Sequence, residues 1–452
     1  MKIHFLSNSL KTNSGFAIVT KNLAQELKKL GHTITMSGLQ TAITPEFTYG
    51  IECLPMSTNT NEMTQFKNNI IQTNPDVVIY IGEMYTDLRH LTKIFKKTAC
   101  YIPVEGVGLP QYMINDLNQV VKNGGKVIAQ CEYGFNEMTK AGVSVHSYIY
   151  HGYNNKIYKQ LKKEDTTNRY CYYTTEIGQE SIDPRVLYQG NCYACRIPLI
   201  DQQFCPKFKD ELILFCKYVM KTNGKKEWTE IIDLPIYELK KQFDNKFVFL
   251  FVGQNHYLRK KINRLLIAFS MLLDSKQIKD RVHLHLHTLP QSPTGLDLLE
   301  LCNRLNIQEN VTFSYGTYRS SGWSENALSI LYNLADVHVS ATSSEGYGLT
   351  HLESMACGIP NIAPDCTSLT ELIGNSKDNQ RGLLAKISDS DIVIDMTSRQ
   401  LCDIPDLASK MKEMYINKEL REICSKNCLK FVQPYAWENV IMKWDKLIRE
   451  MK

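Results

Sequence analysis

The sequence alternates short apolar segments with amphipathic ones in two separate rounds, and this alternation restricts the fold more than any other feature. In the first round, strand-like segments such as 2–6 and 76–82 lie on either side of a helical pattern that ends at Gly31. The second round begins near residue 247 with KFVFLFVG, followed by the helical pattern KINRLLIAFSMLL. Apolar strands that alternate with helices predict parallel sheets covered on both faces. We therefore expect an α/β protein with two doubly wound parallel-sheet domains and a cleft between them.

Between the two rounds lies a segment of different character, roughly residues 161–243, with a concentration of cysteines. Unstructured connections longer than about 15 residues are uncommon in compact domains. We interpret this segment as a cysteine-rich inserted subdomain between an N-terminal domain (1–160) and a C-terminal domain (244–430). Residues 431–452 have the pattern of a terminal amphipathic helix.

Charge and hydropathy exclude several classes of protein. The chain has 52 basic and 47 acidic residues, a net charge of +5, and no dense run of Lys or Arg, so nucleic acid is not the expected partner. No apolar run approaches the ~20 residues of a membrane-spanning helix. The apolar segment at the N-terminus is too short for a signal peptide. The expected location is the cytoplasm, where cysteines are thiols or metal ligands rather than disulfides.

The stretch SSEGYGLTHLESMACGIP at 343–360 has two glutamates, Glu345 and Glu353, on either side of a turn and a helix start. It directly follows a predicted strand, and ligands of parallel α/β sheets bind beyond the carboxyl ends of strands. Gly346 and Gly348 allow the chain to turn closely against a ligand. Both carboxylates are therefore candidates to accept hydrogen bonds from sugar hydroxyls.

A helix that begins near Leu349 presents unpaired backbone amides at its positive end, which suits a phosphate group. The amides expected there belong to Tyr347, Gly348, Leu349 and Thr350.

A second half of a phosphate site follows the apolar strand at 247–252. The segment GQNHYLRKK places Arg259, Lys260 and Lys261 at a strand-to-helix turn. An arginine guanidinium can donate two parallel hydrogen bonds to a phosphate, and a lysine ammonium acts as a point charge. This turn could therefore offset the charge of a diphosphate.

Five ordered segments together resemble one known family, the retaining GT-B glycosyltransferases of family 4. EGYGLTHLESMACGIP resembles its E-x7-E signature, and Glu371 matches a further family glutamate. Residues 14–35 resemble the family's glycine loop and first helix, and residues 251–269 its donor segment. Residues 435–448 resemble the terminal helix that crosses back to the first domain.

The resemblance implies two Rossmann-like domains, the first for the acceptor and the second for the nucleotide sugar. It implies transfer of a hexose, with retention of configuration, from a UDP- or GDP-sugar to a hydroxyl of a sugar, lipid or protein. Glu345 would hold the hydroxyls of the donor sugar and Glu353 the ribose. Arg259 and Lys260 would stabilise the leaving diphosphate, so no metal cofactor would be required for catalysis.

The chain departs from the family pattern at three positions. One is Gln254, which follows Gly253 after the second-domain strand where the family has arginine. Glu105 stands where the family often has a histidine near the reacting sugar, and the glycine loop has only Gly15 where two adjacent glycines are usual. Both residues would face the donor across the cleft. Two other functions stay open on the sequence: a non-catalytic sugar-nucleotide-binding module, and an epimerase or hydrolase on a similar two-domain frame.

Two other groups of residues have spacings that metal sites use. His283, His285 and His287 share one strand face, but no fourth ligand is near them in sequence, so we expect a structural role. Asp389 and Asp391 mimic an Asp-x-Asp metal motif in a polar loop away from Glu345, and we do not expect a metal there.

The insert could hold a structural zinc. Cys192 and Cys195 form a C-x2-C pair, and Cys171 and Cys205, or Cys216, could complete four ligands. A second C-x2-C pair is missing from this segment, and buried thiols are the alternative.

Overall fold

Two eight-stranded sheets organise the chain, and they confirm the predicted pair of doubly wound α/β domains. The computed structural model describes residues 1–12, 14–39, 45–56, 62–83, 88–161, 243–274, 278, 281–316, 325–374, 376 and 378–452, together with the backbone of strands at 187–188, 191–192, 212–220 and 226–235. Within these ranges, no helix is both long and apolar enough to cross a bilayer.

The N-terminal sheet has the strand order β3-β4-β2-β1-β5-β6-β7-β8, and its strands are parallel except for β3. Its strands are β1 Lys2–Asn8, β2 Thr33–Leu39, β3 Glu46–Thr48, β4 Ile51–Leu54, β5 Val77–Ile81, β6 Thr98–Ile102, β7 Lys126–Ala129 and β8 Ser147–Tyr148. The helices between them are α1 Gly15–Lys29, α2 Glu62–Thr73, α3 Leu88–Ile94, α4 Gln111–Lys122 and α5 Glu132–Lys140.

The first helix shows how the sequence determines these elements. The hydroxyl of Ser14 accepts a hydrogen bond from the Ala17 amide at 3.1 Å, which caps the start of α1. Val19, Leu23 and Leu27 recur at helical spacing and are buried against the sheet. Gly31 follows the helix with a φ of 85°, a left-handed conformation that glycine adopts without a steric penalty.

The C-terminal sheet has the order β12-β11-β15-β14-β13-β16-β17-β18, with six parallel strands from β15 to β18. At the edge, β11 pairs antiparallel with both β15 and β12. A two-stranded unit, β9 Leu187–Tyr188 and β10 Asn191–Cys192, precedes it in the chain. The sheet strands are β11 Leu212–Met220, β12 Lys226–Pro235, β13 Phe247–Val252, β14 Val282–His287, β15 Val311–Gly316, β16 Val337–Val339, β17 Asn361–Pro364 and β18 Gly382–Ala385. A separate hairpin, β19 Ile387–Ile392 and β20 Ser398–Cys402, follows β18.

Helices of the C-terminal half cover this sheet in two buried clusters, one on each face. They are α6 Tyr257–Lys260, α7 Ile262–Leu273, α8 Leu298–Arg304, α9 Glu325–Asn333, α10 Leu349–Ala356, α11 Leu369–Ile373, α12 Ile404–Ile416 and α13 Lys418–Val432. The last helix, α14 Trp437–Glu450, packs instead against the N-terminal sheet.

The pairing of β11 with β15 corrects the expected insert in one respect. Both β11 and β12 lie within 161–243, yet β11 is hydrogen-bonded to the edge of the C-terminal sheet. The last part of the expected subdomain is therefore an extension of that sheet. Apolar strand-like segments such as 212–215 could have indicated this, because an apolar strand requires a neighbouring strand.

The cysteines proposed as zinc ligands cannot be placed. Cys171, Cys195 and Cys205 lie outside the described residues, and for Cys192 and Cys216 only the backbone is described. The zinc site stays a prediction.

The terminal helix α14 packs against the N-terminal sheet and joins the end of the chain to its beginning. Trp444 is 1% exposed and meets the ring of Tyr101 edge-on at a centroid distance of 4.9 Å. The next residue, Asp445, accepts a hydrogen bond of 2.7 Å from His32, the residue that follows the Gly31 turn. The helix thereby becomes part of the core of the first domain.

We expect Trp444→Ala to lower the free energy of unfolding by about 3–5 kcal/mol, because it removes a large buried ring and leaves a cavity. Urea titration followed by circular dichroism measures this. Met442→Ala on the exposed side of the same helix is the matched control, since Met442 is 55% exposed and its truncation should cost less than about 0.5 kcal/mol. Equal losses for both variants would show that the helix is not docked in this way.

Candidate active site

The candidate site lies where two loops of the C-terminal domain meet beyond the carboxyl ends of β13 and β16. The amide of Ser343 donates to the carbonyl of Arg259 at 2.8 Å, so the loop that bears Glu345 is hydrogen-bonded to the one that bears the cations. The Ser368 hydroxyl donates to the carbonyls of Glu345 and Tyr347 at 2.9 Å each, which fixes the turn from behind. The sheet edge therefore holds both halves of the predicted phosphate site together.

Glu345 is the central charge of this site. Its carboxylate receives the Lys260 ammonium at 2.5 Å and the Arg259 guanidinium at 3.0 Å. Glu345 and Lys260 are both buried. Burial alone would raise the pKa of Glu345, but the charges of Lys260 and then Arg259 outweigh it and lower that pKa to about 2. The glutamate is thus ionised at neutral pH and is held beside the two cations.

The third predicted cation, Lys261, points elsewhere. Its ammonium lies 3.6 Å from Asp391 of the β19–β20 hairpin and 5.0 Å from the ring centroid of Tyr257. Its φ of 48° turns the chain between α6 and α7, and this turn separates Lys261 from its two neighbours.

The two glycines after Glu345 are required for different reasons. Gly348 caps α10 with a φ of 100°, a conformation that disfavours any side chain. Gly346 has no such dihedral, but a Cβ there would lie 2.5 Å from Cβ of Pro103 in the first domain. The first glycine therefore permits close approach of the two domains, and the second permits the start of the helix.

Helix α10 begins at Leu349 and Thr350, as the sequence predicts, and its first amides lie beside the Glu345 turn. The side chain of Leu349 faces Gly15 across the cleft, where a Cβ on Gly15 would lie 3.5 Å from it. The Tyr347 ring is buried, and its centroid lies 4.7 Å from the centroid of the His151 ring in the first domain. The Tyr347 side chain therefore packs between the domains.

Glu353 lies one turn into α10, buried, and accepts a hydrogen bond of 3.0 Å from the Tyr332 hydroxyl. Burial and the negative charge of Glu325 raise its pKa to about 8. Glu325 itself pairs with Lys21 of the first domain at 2.7 Å. The two glutamates of the motif thus have opposite electrostatic surroundings: Glu345 is ionised beside cations, and Glu353 is largely protonated at neutral pH.

Glu105 reaches the site from the first domain, from the loop after β6. One carboxylate oxygen lies 3.4 Å from Arg259, and the other lies 3.3 Å from Arg399. The structure therefore brings Glu105, Arg259, Lys260 and Glu345 into one charged cluster across the cleft.

Arg399 belongs to this cluster, and sequence analysis missed it. It is 8% exposed, donates to the hydroxyl of Ser344 and to Asp395 at 2.8 Å, and lies in strand β20. It is far from the motif in sequence and belongs to none of the segments that resemble the family. The only available signal was the length of the polar segment between β18 and α12, which exceeds that of a simple turn.

Glu371 also joins the two domains. It accepts a hydrogen bond of 2.7 Å from the Tyr150 hydroxyl and one of 3.3 Å from the amide of Tyr133. Burial raises its pKa. The Cys131 thiol, nearby in the first domain, donates to the carbonyl of Gly346 at 3.2 Å. The cleft is therefore closed on this side by direct hydrogen bonds.

The strand histidines have hydroxyl partners. Thr312 lies 2.8 Å from both His283 and His285, and Ser314 lies 2.7 Å from His285 and 3.1 Å from His287. Burial lowers the pKa of His283 and His287 to about 3, so these rings are neutral. They form a hydrogen-bonded ladder between β14 and β15.

The Asp-x-Asp segment lies on the exposed strand β19. Asp389 accepts a hydrogen bond from the amide of Ser390 at 2.7 Å, and Asp391 forms the ion pair with Lys261. Among the described residues, no cluster of three or more His, Cys, Asp or Glu side chains is arranged to hold a metal ion.

The C-terminal half is similar to proteins of a known family. Residues 237–430 match the family model "Glycosyl transferases group 1". Over 116 residues, the chain is 37% identical to alpha-monoglucosyldiacylglycerol synthase of Streptococcus pneumoniae, covering 26% of this chain and 24% of that protein. Over 202 residues, it is 26% identical to D-inositol 3-phosphate glycosyltransferase of Geodermatophilus obscurus, covering 44% and 39%. The chain thus spans well under half the length of these curated relatives.

The whole chain resembles solved structures of the GT-B fold. Sucrose-phosphate synthase from Thermosynechococcus elongatus superimposes with a TM-score of 0.66 at 15% identity, covering 100% of this chain and 99% of that one. Anabaena HepE in complex with UDP-glucose gives a TM-score of 0.64 at 12% identity, with 100% of both chains covered. The fold is GT-B.

We expect Gly346→Ala to lower the free energy of unfolding by roughly 1–3 kcal/mol, because the new methyl group would overlap Pro103 and force the domains apart. Gly15→Ala is the matched control at the same cleft, since its methyl group would make only an ordinary contact with Leu349. Urea titration measures both variants, and small-angle scattering detects the opening. An unchanged stability of Gly346→Ala would contradict the close approach.

We expect the stability of the protein to depend on pH through Glu353. The folded pKa of about 8 exceeds the value of 4.5 for an unperturbed glutamate, so the folded state binds more protons between these limits. Its stabilising contribution is present below pH 4.5 and is lost as pH rises through 8, by on the order of 2–5 kcal/mol. Urea titrations of wild type and Glu353→Gln at pH 5 and pH 9 should show a steeper loss in wild type. Glu300→Gln, on the exposed helix α8, should leave the wild-type pH dependence unaltered.

Proposed function

We propose that the protein is a glycosyltransferase that moves a hexose from a nucleotide diphosphate sugar to an acceptor hydroxyl with retention of configuration. The main support is the pairing of Glu345 with Lys260 and Arg259 at the glycine-bounded start of α10. The match of residues 237–430 to the group 1 family model supports the same activity. A structural neighbour solved with UDP-glucose supports a nucleotide-sugar donor.

The departure of the nucleotide diphosphate is the step for which the cations are suited. As the glycosidic bond breaks, the diphosphate gains negative charge and the sugar becomes cationic. Lys260 is buried and Arg259 is half-buried beside it, and preorganised charges in such a site stabilise a transition state more than they do in water. The amides at the start of α10 add a partial positive charge at the same place.

Glu345 has a second role when the donor is bound. In the free protein it neutralises Lys260 and Arg259, which lets the chain bury the Lys260 ammonium beside a half-buried guanidinium. Phosphate oxygens would take over part of that pairing, which leaves the ionised carboxylate to accept hydrogen bonds from the sugar hydroxyls. Such hydrogen bonds strengthen as the sugar becomes cationic, so they favour the transition state over the ground state.

Glu353 is the proposed ribose ligand. A ribose hydroxyl that donates to it would favour its charged form, so nucleotide binding should release a proton near neutral pH, given the pKa of about 8. Glu105 and Gly15 would face the donor from the first domain, where the acceptor would bind.

The chemistry proposed here requires no metal cofactor, because Lys260, Arg259 and the helix start supply the positive charge that a divalent ion supplies elsewhere. Asp389 and Asp391 lie on the exposed hairpin, with Asp391 already paired to Lys261. A zinc in the cysteine-rich segment would be structural and separate from this step.

We expect Glu345→Ala and Glu353→Ala to differ in their ligand selectivity. A charge-assisted hydrogen bond contributes roughly 1.5–3 kcal/mol, so Glu353→Ala should weaken both the sugar nucleotide and the free nucleotide diphosphate by about ten- to a hundredfold. Glu345→Ala should weaken the sugar nucleotide selectively and depress turnover. Calorimetric titration with UDP-glucose, GDP-mannose, UDP and GDP, combined with a turnover assay, distinguishes the two.

Equal weakening of both ligands by Glu345→Ala, with turnover unchanged, would contradict the assignment and leave the motif as a nucleotide clamp. Nucleotide-sugar binding without turnover on any acceptor would favour a non-catalytic binding module. Release of free sugar, or of an epimerised sugar, without acceptor would favour the hydrolase or epimerase alternative.

We expect transfer activity to survive chelation. In EDTA at a large molar excess over the protein, turnover should remain within about twofold of the untreated rate, because side chains offset the charge of the diphosphate. Complete loss that magnesium or manganese restores would overturn this proposal. Loss accompanied by unfolding, measured by circular dichroism, would point to a structural zinc instead.

A further inference from the structure

The β19–β20 hairpin ties the two domains together directly at the candidate site. Val107 of the first domain and Ser398 of β20 exchange two backbone hydrogen bonds of 3.0 Å each. On the other side, the amide of Gln400 donates to the carbonyl of Ser343 at 3.1 Å. The hairpin therefore bridges the loop that bears Glu105 and the loop that bears Glu345, with Arg399 between its two contacts.

Arg399 is fixed from three directions. Asp395 accepts from one end of the guanidinium at 2.8 Å, the hydroxyl of Ser344 accepts from the other end, and Glu105 lies 3.3 Å from that same nitrogen. A guanidinium has five N–H donors in one plane, so Arg399 can keep its hydrogen bonds to Asp395 and Ser344 while its distance to Glu105 shortens.

Glu105 is held loosely by two cations instead of tightly by one. Its distances of 3.4 Å to Arg259 and 3.3 Å to Arg399 both exceed the 2.7–2.9 Å of a well-formed charge-assisted hydrogen bond. Arg259 also donates to Glu345 at 3.0 Å. A small movement of the carboxylate would thus pair it fully with either guanidinium.

A diphosphate at Arg259 would change this balance. The phosphate oxygens and Glu105 are both negative, so they repel each other at close range. The carboxylate must then move away from Arg259, and Arg399 is the cation placed to receive it.

We propose that Arg399 is a positioning residue that takes over the Glu105 carboxylate when the donor diphosphate engages Arg259. This inference rests on the proposed function, because it requires a diphosphate at Arg259. Without Arg399, Glu105 stays paired with Arg259 and competes with the phosphate. The expected consequence is a specific coupling between Arg399 and Glu105 in nucleotide binding.

The test is a double-mutant cycle on the full chain, with UDP, GDP and inorganic pyrophosphate as calorimetric probes. Arg399→Gln should weaken binding of the diphosphate by about tenfold, as expected for one charge-assisted hydrogen bond. In the Glu105→Gln background, where no carboxylate competes, the same Arg399→Gln change should alter binding by less than about twofold.

Two controls separate positioning from other effects. Arg304→Gln removes an exposed arginine that pairs only with Glu300 on its own helix among the described contacts, and it should leave nucleotide binding unchanged. Arg399→Lys keeps the charge but loses the fork, so it should weaken binding by an intermediate factor if Arg399→Gln does not fold. In the Glu105→Gln background, Arg399→Lys should likewise leave nucleotide binding nearly unchanged.

Equal weakening by Arg399→Gln in both backgrounds would overturn the proposal, because a general loss of positive charge acts independently of Glu105. Weakening that accompanies a lowered unfolding free energy and persists in the double variant would show a structural role, which also overturns it. Failure of the wild type to bind UDP, GDP and pyrophosphate would overturn the proposed function together with this inference. Binding by the wild type with no coupling in the cycle would overturn this inference alone.

Discussion

The ion pair of Glu345 with Lys260 is the interaction on which the rest of the site depends. A buried ammonium next to a guanidinium requires a counter-ion, because burial removes the water that would otherwise solvate its charge. Glu345 supplies that counter-charge, and the bond from Ser343 to Arg259 holds the two loops together. Removing the glutamate would leave Lys260 buried next to Arg259, so its loss should affect the loop structure as well as ligand binding.

Closure of the cleft is the second constraint, and backbone contacts between the domains maintain it as much as charged side chains do. Gly346 lets the Glu345 turn approach Pro103, while Val107 and Ser398 pair as if they were adjacent strands. Glu371 and Cys131 add hydrogen bonds between the domains. These contacts place Glu105 opposite Arg259, so the charges of the site and the closed arrangement of the domains support each other.

Much of the fold could be predicted from local pattern. The spacing of Val19, Leu23 and Leu27, with Ser14 before and Gly31 after, specifies a helix and both its ends. Apolar strands between such helices specify the parallel sheets. The pairing of β11 with β15 was missed, because sheet-edge partners are far apart in sequence and no periodicity records which strands meet.

The sequence by itself determined the two-domain α/β architecture, the turn and helix start around Glu345, and the position of Arg259 and Lys260 at a strand-to-helix turn, because glycine dihedrals, helix capping and strand periodicity act over a few residues. Only the tertiary structure decided which charges meet. Lys261 faces Asp391 although it is adjacent to Lys260, and burial beside Glu325 raises the pKa of Glu353. Arg399 reaches Glu105 across 294 residues of sequence. Electrostatic interactions depend on distance and burial in space, and neither quantity is encoded in local spacing.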